Sequence, residues 1–99
     1  MLLRIDETEG GLALEGELDM ATADELRDRL KERAGGEGPF VLDFSAVSFM
    51  DSSGLRVLLE VAQGRDANGP LVILHPSKQV QRVLDISIPG GTPGMEVRA

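Results

Sequence analysis

Two short apolar segments, Phe40-Val41-Leu42-Asp43-Phe44 and Leu71-Val72-Ile73-Leu74, constrain the fold of this chain more than any other feature. Apolar runs of this length are typical of strands that are buried on both faces of a parallel sheet. The segment between them predicts a helix over residues 52–65. Its apolar face consists of Leu55, Leu58, Leu59 and Ala62, which have the i, i+3, i+4, i+7 spacing of one side of a helix. Strand, helix and strand in this order predict a right-handed crossover unit of an α/β fold.

The N-terminal part extends this pattern. Alternating residues on either side of Glu9-Gly10-Gly11 predict two short strands, at residues 3–5 and 12–15, which a tight turn connects. Thr22 and Glu25 have the spacing of a capping box, which predicts that a helix begins there. The helix is expected to end at the glycine-rich segment over residues 35–39. The inward-facing stripe of this helix is predicted to be Ala23, Leu26, Leu30 and Ala34.

The C-terminal part predicts one more helix and one more strand. His75-Pro76-Ser77 begins a short third helix, whose inward-facing residues are Val80, Val83 and Leu84. Residues 95–98 predict a last edge strand. The order of elements therefore predicts an α/β fold in which a single-layer mixed β-sheet of about four to five strands is packed with helices. A chain of this length suits one domain, over residues 1–99.

The charge balance excludes several classes of partner. Seventeen acidic residues against ten basic ones give a net charge of −7, and such a surface repels phosphate backbones and anionic lipid headgroups. Direct binding to nucleic acid or to a membrane is therefore not expected. Arg4 and Asp6 interrupt the apolar stretch that a signal peptide would need, so we expect a cytoplasmic protein.

Residue types that could carry catalysis or hold a cofactor are scarce in this sequence. The chain contains no Cys, which excludes thiolate nucleophiles and cysteine metal ligands. The single histidine, His75, lies directly before Pro76 at a strand end, where a loop or capping role is the simpler interpretation. Residues 35–39 lack the Lys-Ser/Thr pair of a phosphate-binding loop. We therefore expect a protein that is not an enzyme and that has no catalytic residues, cofactor or metal.

The segment Met50-Asp51-Ser52-Ser53-Gly54-Leu55 holds the most informative polar residues of the chain. Asp and Ser are common N-cap residues, so helix capping is the simplest role for this cluster. If Asp51 is the cap, Met50 and Leu55 occupy the two positions of a hydrophobic staple. Ser52 is then left without a capping role, and its hydroxyl would face outward beyond the end of a buried strand, where α/β sheets place functional groups. Gly54 would let the backbone of a partner approach closely.

The stretch over residues 41–55 resembles the signature of STAS domains, specifically those of bacterial anti-sigma factor antagonists. Gly16-Glu17-Leu18-Asp19 resembles that family's second landmark, and the spacing between the two landmarks also fits. The resemblance covers residues 3–86 and implies a STAS-like fold. Family members usually continue past the third helix with a Gly-Leu turn, a strand and a final helix. Residues 85–91 depart from that turn, so the C-terminal helix is expected to be missing.

The resemblance also implies a function. Family members bind an anti-sigma factor that is also a serine kinase, and thereby release a sigma factor. The kinase is expected to phosphorylate Ser52 with ATP that the kinase itself holds, and a phosphatase reverses the modification. The implied partner-binding surface combines the loop before the first helix with the start of the second helix. Its residues are Asp19, Met20, Asp51, Ser52, Ser53, Gly54, Leu55 and Arg56.

Two alternative functions stay open at this point. In the first, the chain is an unmodified STAS module of a larger assembly, such as a stressosome-like particle or a lipid-transport complex, and Ser52 only caps the helix. In the second, the chain binds or hydrolyses a nucleotide, which the lack of a phosphate-binding loop disfavours. The role of Asp19 is open in the same way, because a turn residue ahead of the first helix is the simpler interpretation on the sequence alone.

Overall fold

The computed structural model describes residues 3–65 and 68–99. Every strand and helix that the sequence predicts is present. In chain order the elements are β1 (Leu3–Thr8), β2 (Gly11–Leu18), α1 (Ala23–Arg33), β3 (Phe40–Met50), α2 (Ser52–Gly64), β4 (Leu71–Leu74), α3 (Lys78–Ser87) and β5 (Met95–Arg98). The predicted single domain over residues 1–99 includes residues 1, 2, 66 and 67, which lie outside the described residues.

The five strands form one mixed sheet with the spatial order β1-β2-β3-β4-β5. β1 and β2 pair in antiparallel register, as a tight turn between them requires. β2, β3, β4 and β5 are parallel to one another, and each parallel pair is connected through one helix. The predicted α/β fold, with a mixed sheet packed with helices, is therefore confirmed.

One hydrophobic core joins the sheet to all three helices. The predicted inward-facing residues of the helices are all in or against this core, with Leu59 and Val83 half-buried at its margin. Its buried helix residues are Ala23, Leu26, Leu30, Leu55, Val57, Leu58, Ala62, Val80 and Leu84. Because right-handed crossovers between successive neighbouring strands stay on one side of a sheet, the three helices cover the same face. The other face presents polar side chains such as Asp43 and Glu96.

The capping box predicted at the start of α1 is wrong, although the helix begins where it was expected. Thr22 stands at the N-cap position, but its side chain makes no capping hydrogen bond. Its hydroxyl instead donates to the Glu17 carbonyl oxygen at 2.8 Å and accepts from the Asp19 N–H at 3.0 Å. The buried Thr22 side chain therefore stabilises the loop between β2 and α1 rather than the helix itself.

β3 is longer than the apolar segment that predicted it, because it continues through residues 45–50. Two register shifts against β2 interrupt the alternation of inward and outward side chains in this part of the strand. The sequence of residues 45–50 therefore lacks the period-two pattern that would predict a strand. The pairing with β4 ends earlier, at Asp43 and Leu74, whereas the pairing with β2 continues to Leu18 and Met50. The last part of β3 therefore projects beyond β4 and leads directly into α2.

Gly11, at the start of β2, is required by a close approach between two strands. A Cβ added at Gly11 would overlap the backbone carbonyl oxygen of Val41 in β3. We expect Gly11→Ala to lower the free energy of unfolding by about 1–3 kcal/mol, since the strands must separate locally. The matched control is Gly10→Ala in the preceding turn, where an added Cβ meets no atom within 4 Å in the described part of the chain. Urea unfolding of both variants checks this; equal stabilities would contradict it.

Candidate functional site

The candidate site is the turn that connects β3 to α2. Asp51 caps α2, and its Oδ1 accepts hydrogen bonds from the backbone N–H groups of Ser53 at 2.8 Å and Gly54 at 3.4 Å. Met50 and Leu55 are both buried, as a hydrophobic staple requires. The prediction that Asp51 caps this helix is confirmed. The Asp51 carboxylate therefore caps the N-terminus of α2 without help from the Ser52 hydroxyl.

Ser52 is the first residue of α2, and its side chain is exposed. Ser53, the second serine of the motif, is half-buried, and its backbone N–H donates to the Asp51 carboxylate. A serine hydroxyl in the position of Ser52 is accessible to a macromolecule that approaches the helix end. The two serines thus differ in accessibility, with Ser52 the more exposed.

The expectation that Gly54 leaves room for the backbone of a partner is wrong. Gly54 is buried, and an added Cβ would lie 2.7 Å from Cδ2 and 2.8 Å from the carbonyl oxygen of Leu18 in β2. The missing side chain therefore lets α2 pack closely on β2. Leu55, which was expected to contact a partner, is only 4% exposed and belongs to the core. The accessible side chains of this helix end are those of Ser52 and Arg56.

Gln79, in the first turn of α3, holds the strand end that precedes the serine turn. Its side-chain amide accepts from the Met50 N–H through Oε1 at 2.9 Å and donates to the Met50 carbonyl oxygen through Nε2 at 2.9 Å. On the opposite side, the Asp51 N–H donates to the Leu18 carbonyl oxygen at 3.1 Å. Because β3 projects beyond β4 here, the Gln79 amide takes the place of a neighbouring strand. Sequence reasoning missed this residue.

Replacing Gln79 by Leu removes both hydrogen bonds from the Met50 backbone and leaves a buried N–H and C=O unsatisfied. We expect a loss of about 1–3 kcal/mol in the free energy of unfolding, the usual cost of such groups. The control is Gln81→Leu on the same helix, because within the described residues the Gln81 side-chain amide bonds only to the exposed Asp85. Urea unfolding measures the difference, and faster amide exchange at Ser53 and Gly54 would show that the serine turn loosens. Unchanged stability and exchange would contradict the role of Gln79.

The loop between β2 and α1 lies beside the serine turn, because β2 and β3 end at the same edge of the sheet, with Leu18 opposite Met50. The Asp19 carboxylate accepts from the Ala21 N–H at 2.9 Å, so the turn role expected of Asp19 is present. Met20 is 81% exposed, which is unusual for a large apolar side chain. The structure therefore places the loop of Asp19 and Met20 at the same edge of the sheet as the turn of Asp51 and Ser52.

Phe49 adds a second exposed apolar side chain near this edge. It is 38% exposed and lies opposite Glu17 in the pairing of β2 with β3. The sequence does not mark it as a surface residue, because a phenylalanine at the end of an apolar strand is usually a core residue. Exposed aromatic and methionine side chains are enriched in protein interfaces, and Phe49 and Met20 are both large apolar side chains that are exposed near this edge.

The ionisable groups with displaced pKa values lie elsewhere and have structural causes. The pKa of Asp43 is lowered chiefly because its carboxylate accepts the Ser45 N–H at 2.9 Å. The pKa of Glu60 in α2 is lowered chiefly by the hydrogen bond from Arg27 in α1. Burial lowers the pKa of Arg65, whose guanidinium donates to carbonyl oxygens of the loop between α1 and β3. These interactions stabilise the scaffold.

His75 has a structural role at the end of β4. It adopts a left-handed backbone conformation with a φ angle of 57°, and its N–H donates to the Arg98 carbonyl oxygen at 2.8 Å. Over residues 3–65 and 68–99, no cluster of three His, Asp or Glu side chains is arranged to hold a metal ion. None of the helices in these same ranges has the length and apolarity needed to cross a membrane.

Comparison with known proteins identifies the family of this chain. A family model described as the Mlab STAS domain matches residues 1–87, which include the serine turn and the loop before α1. The chain belongs to the STAS domain family. This STAS domain is 36% identical over 91 residues to BtrV of Bordetella bronchiseptica, a candidate anti-sigma factor antagonist. The alignment covers 88% of this chain and 78% of BtrV.

Solved structures share the fold of this STAS domain. The anti-sigma factor antagonist SpoIIAA in its unphosphorylated form matches with a TM-score of 0.66 and 24% identity, over 94% of this chain and 86% of SpoIIAA. A candidate anti-sigma factor antagonist from Thermotoga maritima matches with a TM-score of 0.74 and 17% identity, over 98% and 86% of the two chains. The murine anion transporter Slc26a9 matches with a TM-score of 0.62 and 21% identity, over 91% of this chain and 16% of the transporter. Together they confirm the predicted STAS-like fold.

Proposed function

We propose that this STAS domain is a cytoplasmic anti-sigma factor antagonist that phosphorylation of Ser52 switches off. In the unmodified state it binds an anti-sigma factor that is also a serine kinase, and the sigma factor is released. Phosphorylation by that kinase ends the binding, and a phosphatase restores it. The chain itself acts by binding and not by catalysis. The observation that carries the proposal is an exposed serine at the start of a helix that Asp51 already caps.

The proposed contact surface combines two apolar side chains with the serine. Met20 and Phe49 supply exposed apolar area on the loop and strand that flank the turn. Arg56, one helical turn after Ser52, adds an exposed positive charge. Asp19 and Ser53 lie half-buried within the same edge. We include Gly54 and Leu55 only as the buried support of this surface.

In this reaction the chain contributes one reacting group, the Ser52 hydroxyl. The Ser52 Oγ forms a bond to the γ-phosphorus of the kinase-bound ATP, the bond between that phosphorus and the bridging oxygen breaks, and ADP leaves. The Asp51 Oδ1 already accepts two backbone hydrogen bonds, so a group of the kinase is expected to take the hydroxyl proton. The phosphatase step transfers the phosphoryl group from Ser52 to water.

Modification should affect binding far more than folding. A phosphate adds a charge of about −1.5 to −2, which the helix N-terminus favours by about 0.3–1 kcal/mol. The neighbouring Asp51 carboxylate opposes it with an effect of similar size. In an interface, by contrast, an uncompensated buried charge costs about 2–5 kcal/mol. The same phosphate therefore leaves the domain folded and removes the partner.

The experiment that tests the phosphorylation site is intact-mass measurement on protein purified from the native cells. We expect a phosphate-sized increment in part of the wild-type protein, its retention in Ser53→Ala and its loss in Ser52→Ala. Ser53→Ala is a close control because it removes the neighbouring hydroxyl of the same motif. An increment that persists in Ser52→Ala would contradict the assignment.

The second candidate function is that of an unmodified STAS module within a larger assembly, such as a lipid-transport or stressosome-like complex. The Mlab description of the family model and the fold shared with an anion transporter favour it. In that case Ser52 stays unmodified under all growth conditions, and a multi-subunit complex co-purifies equally well with wild type and Ser52→Asp.

A further inference from the structure

The outer edge of β5 is an unpaired strand edge with a defined set of free backbone groups. The Leu71 N–H donates to the Gly94 carbonyl oxygen, and the His75 N–H donates to the Arg98 carbonyl oxygen. Because the backbone groups of successive strand residues point in opposite directions, residues 94, 96 and 98 face β4. The N–H and C=O of Val97 therefore face outward, and no residue in the described part of the chain pairs with them in the sheet.

We propose that this edge binds a second copy of the chain, with two β5 strands pairing in antiparallel register about a two-fold axis at Val97. Such pairing lets each Val97 N–H donate to the Val97 carbonyl oxygen of the other copy, which closes one hydrogen-bonded pair on the axis. The interface is isologous, since the same strand contributes on both sides. The two five-stranded sheets then become one continuous sheet.

The charges of β5 select this register. With Val97 opposite its own copy, Glu96 of each chain lies opposite Arg98 of the other, and both side chains project from the same sheet face. Glu96 and Arg98 already form an ion pair of 2.8 Å within one strand. In the dimer each side chain can pair instead with its opposite charge on the other copy, because all four side chains lie on the same face of the sheet. Centring the axis on Glu96 or Arg98 instead would place like charges opposite each other, which destabilises strand pairing.

The opposite face of β5 is apolar and continues the same interface. Val97 is 37% exposed and lines a groove of about 260 Å³ between α3 and β5. Leu84, Ile88 and Met95 line the same groove. In the proposed dimer the two Val97 side chains meet on the axis at the mouths of the two grooves, which removes apolar surface from water. The edge thus combines hydrogen bonds, complementary charges and apolar contact in one register.

The test is the oligomeric state by sedimentation over a range of protein concentrations. We expect a concentration-dependent dimer for wild type, and a dimer about ten-fold or more weaker for Glu96→Arg, because the guanidinium introduced in each copy would face Arg98 of the other. The double variant Glu96→Arg with Arg98→Glu restores opposite charges and is expected to restore the dimer. The control Glu32→Arg makes the same charge change on the exposed face of α1 and should have no effect.

A second variant tests the register through the backbone. Val97→Pro removes the N–H on the axis, and an edge strand tolerates proline where the N–H faces outward. We expect loss of the dimer in a chain that circular dichroism shows to be folded. A monomer at all concentrations for wild type would overturn the proposal. A dimer that survives both Glu96→Arg and Val97→Pro would overturn it as well, because it would have to use another surface.

Discussion

Ser52→Asp is expected to reduce the affinity for the anti-sigma kinase by about 30-fold to several-thousand-fold while the domain stays folded. The carboxylate places a negative charge at an exposed helix start that the proposed partner covers. Helix N-termini accept such a charge, so the thermal unfolding midpoint should move by only a few degrees. Binding measured by calorimetry with the purified kinase, and unfolding followed by circular dichroism, check the two halves of this prediction separately.

The control for this prediction is Gln63→Glu, which adds one negative charge at an exposed position near the other end of α2. It should bind like wild type, since the proposed surface does not include that end of the helix. If Gln63→Glu weakens binding as much as Ser52→Asp, the effect comes from net charge and not from the serine turn. If Ser52→Asp binds like wild type, the kinase does not cover Ser52.

Gly54→Ala is expected to lower the free energy of unfolding by about 1–3 kcal/mol, although alanine is the better helix former. The added Cβ would lie 2.7–2.8 Å from the Leu18 side chain and carbonyl oxygen, so the start of α2 must move away from β2. This movement displaces Ser52 relative to Met20, and the affinity for the partner should fall as well. Urea unfolding and the same binding assay measure both effects.

Gly64→Ala is the matched control, because Gly64 is the last residue of the same helix and an added Cβ there meets no atom of the described residues within 4 Å. Alanine should raise the stability at this position by up to about 1 kcal/mol. Opposite signs for Gly54→Ala and Gly64→Ala would confirm that close packing on β2 is the reason for Gly54. Stabilisation by both substitutions would contradict it.

The order of elements and the core were predictable because they depend on local patterns. The apolar runs of β3 and β4 and the helical spacing in α2 are visible within a dozen residues, and the Asp51 cap follows from local capping preferences. The capping box at Thr22 failed because the threonine hydroxyl bonds to the preceding loop instead. A local sequence motif does not show whether the threonine hydroxyl will bond to the N–H groups of the following helix or to the backbone of the preceding loop.

The contacts that the sequence could not show are those between distant segments. The Gln79 amide meets the Met50 backbone across 29 positions, and no periodicity marks such a pair. Gly54 was recognised as a site of close approach, but a glycine does not show which chain fills the space, and here Leu18 of the same molecule fills it. The exposure of Phe49 depends on the register shifts in β3, which local patterns also hide.

The most direct test of the switch compares the unmodified chain with the same chain phosphorylated at Ser52, each mixed with the purified anti-sigma kinase. Size-exclusion chromatography with light scattering measures complex formation, and circular dichroism measures the fold. We predict a stable complex with the unmodified chain, free components with the phosphorylated chain, and matching spectra for the two forms. Equal binding by both forms, or loss of binding together with loss of the folded spectrum, would contradict a switch that acts on binding alone.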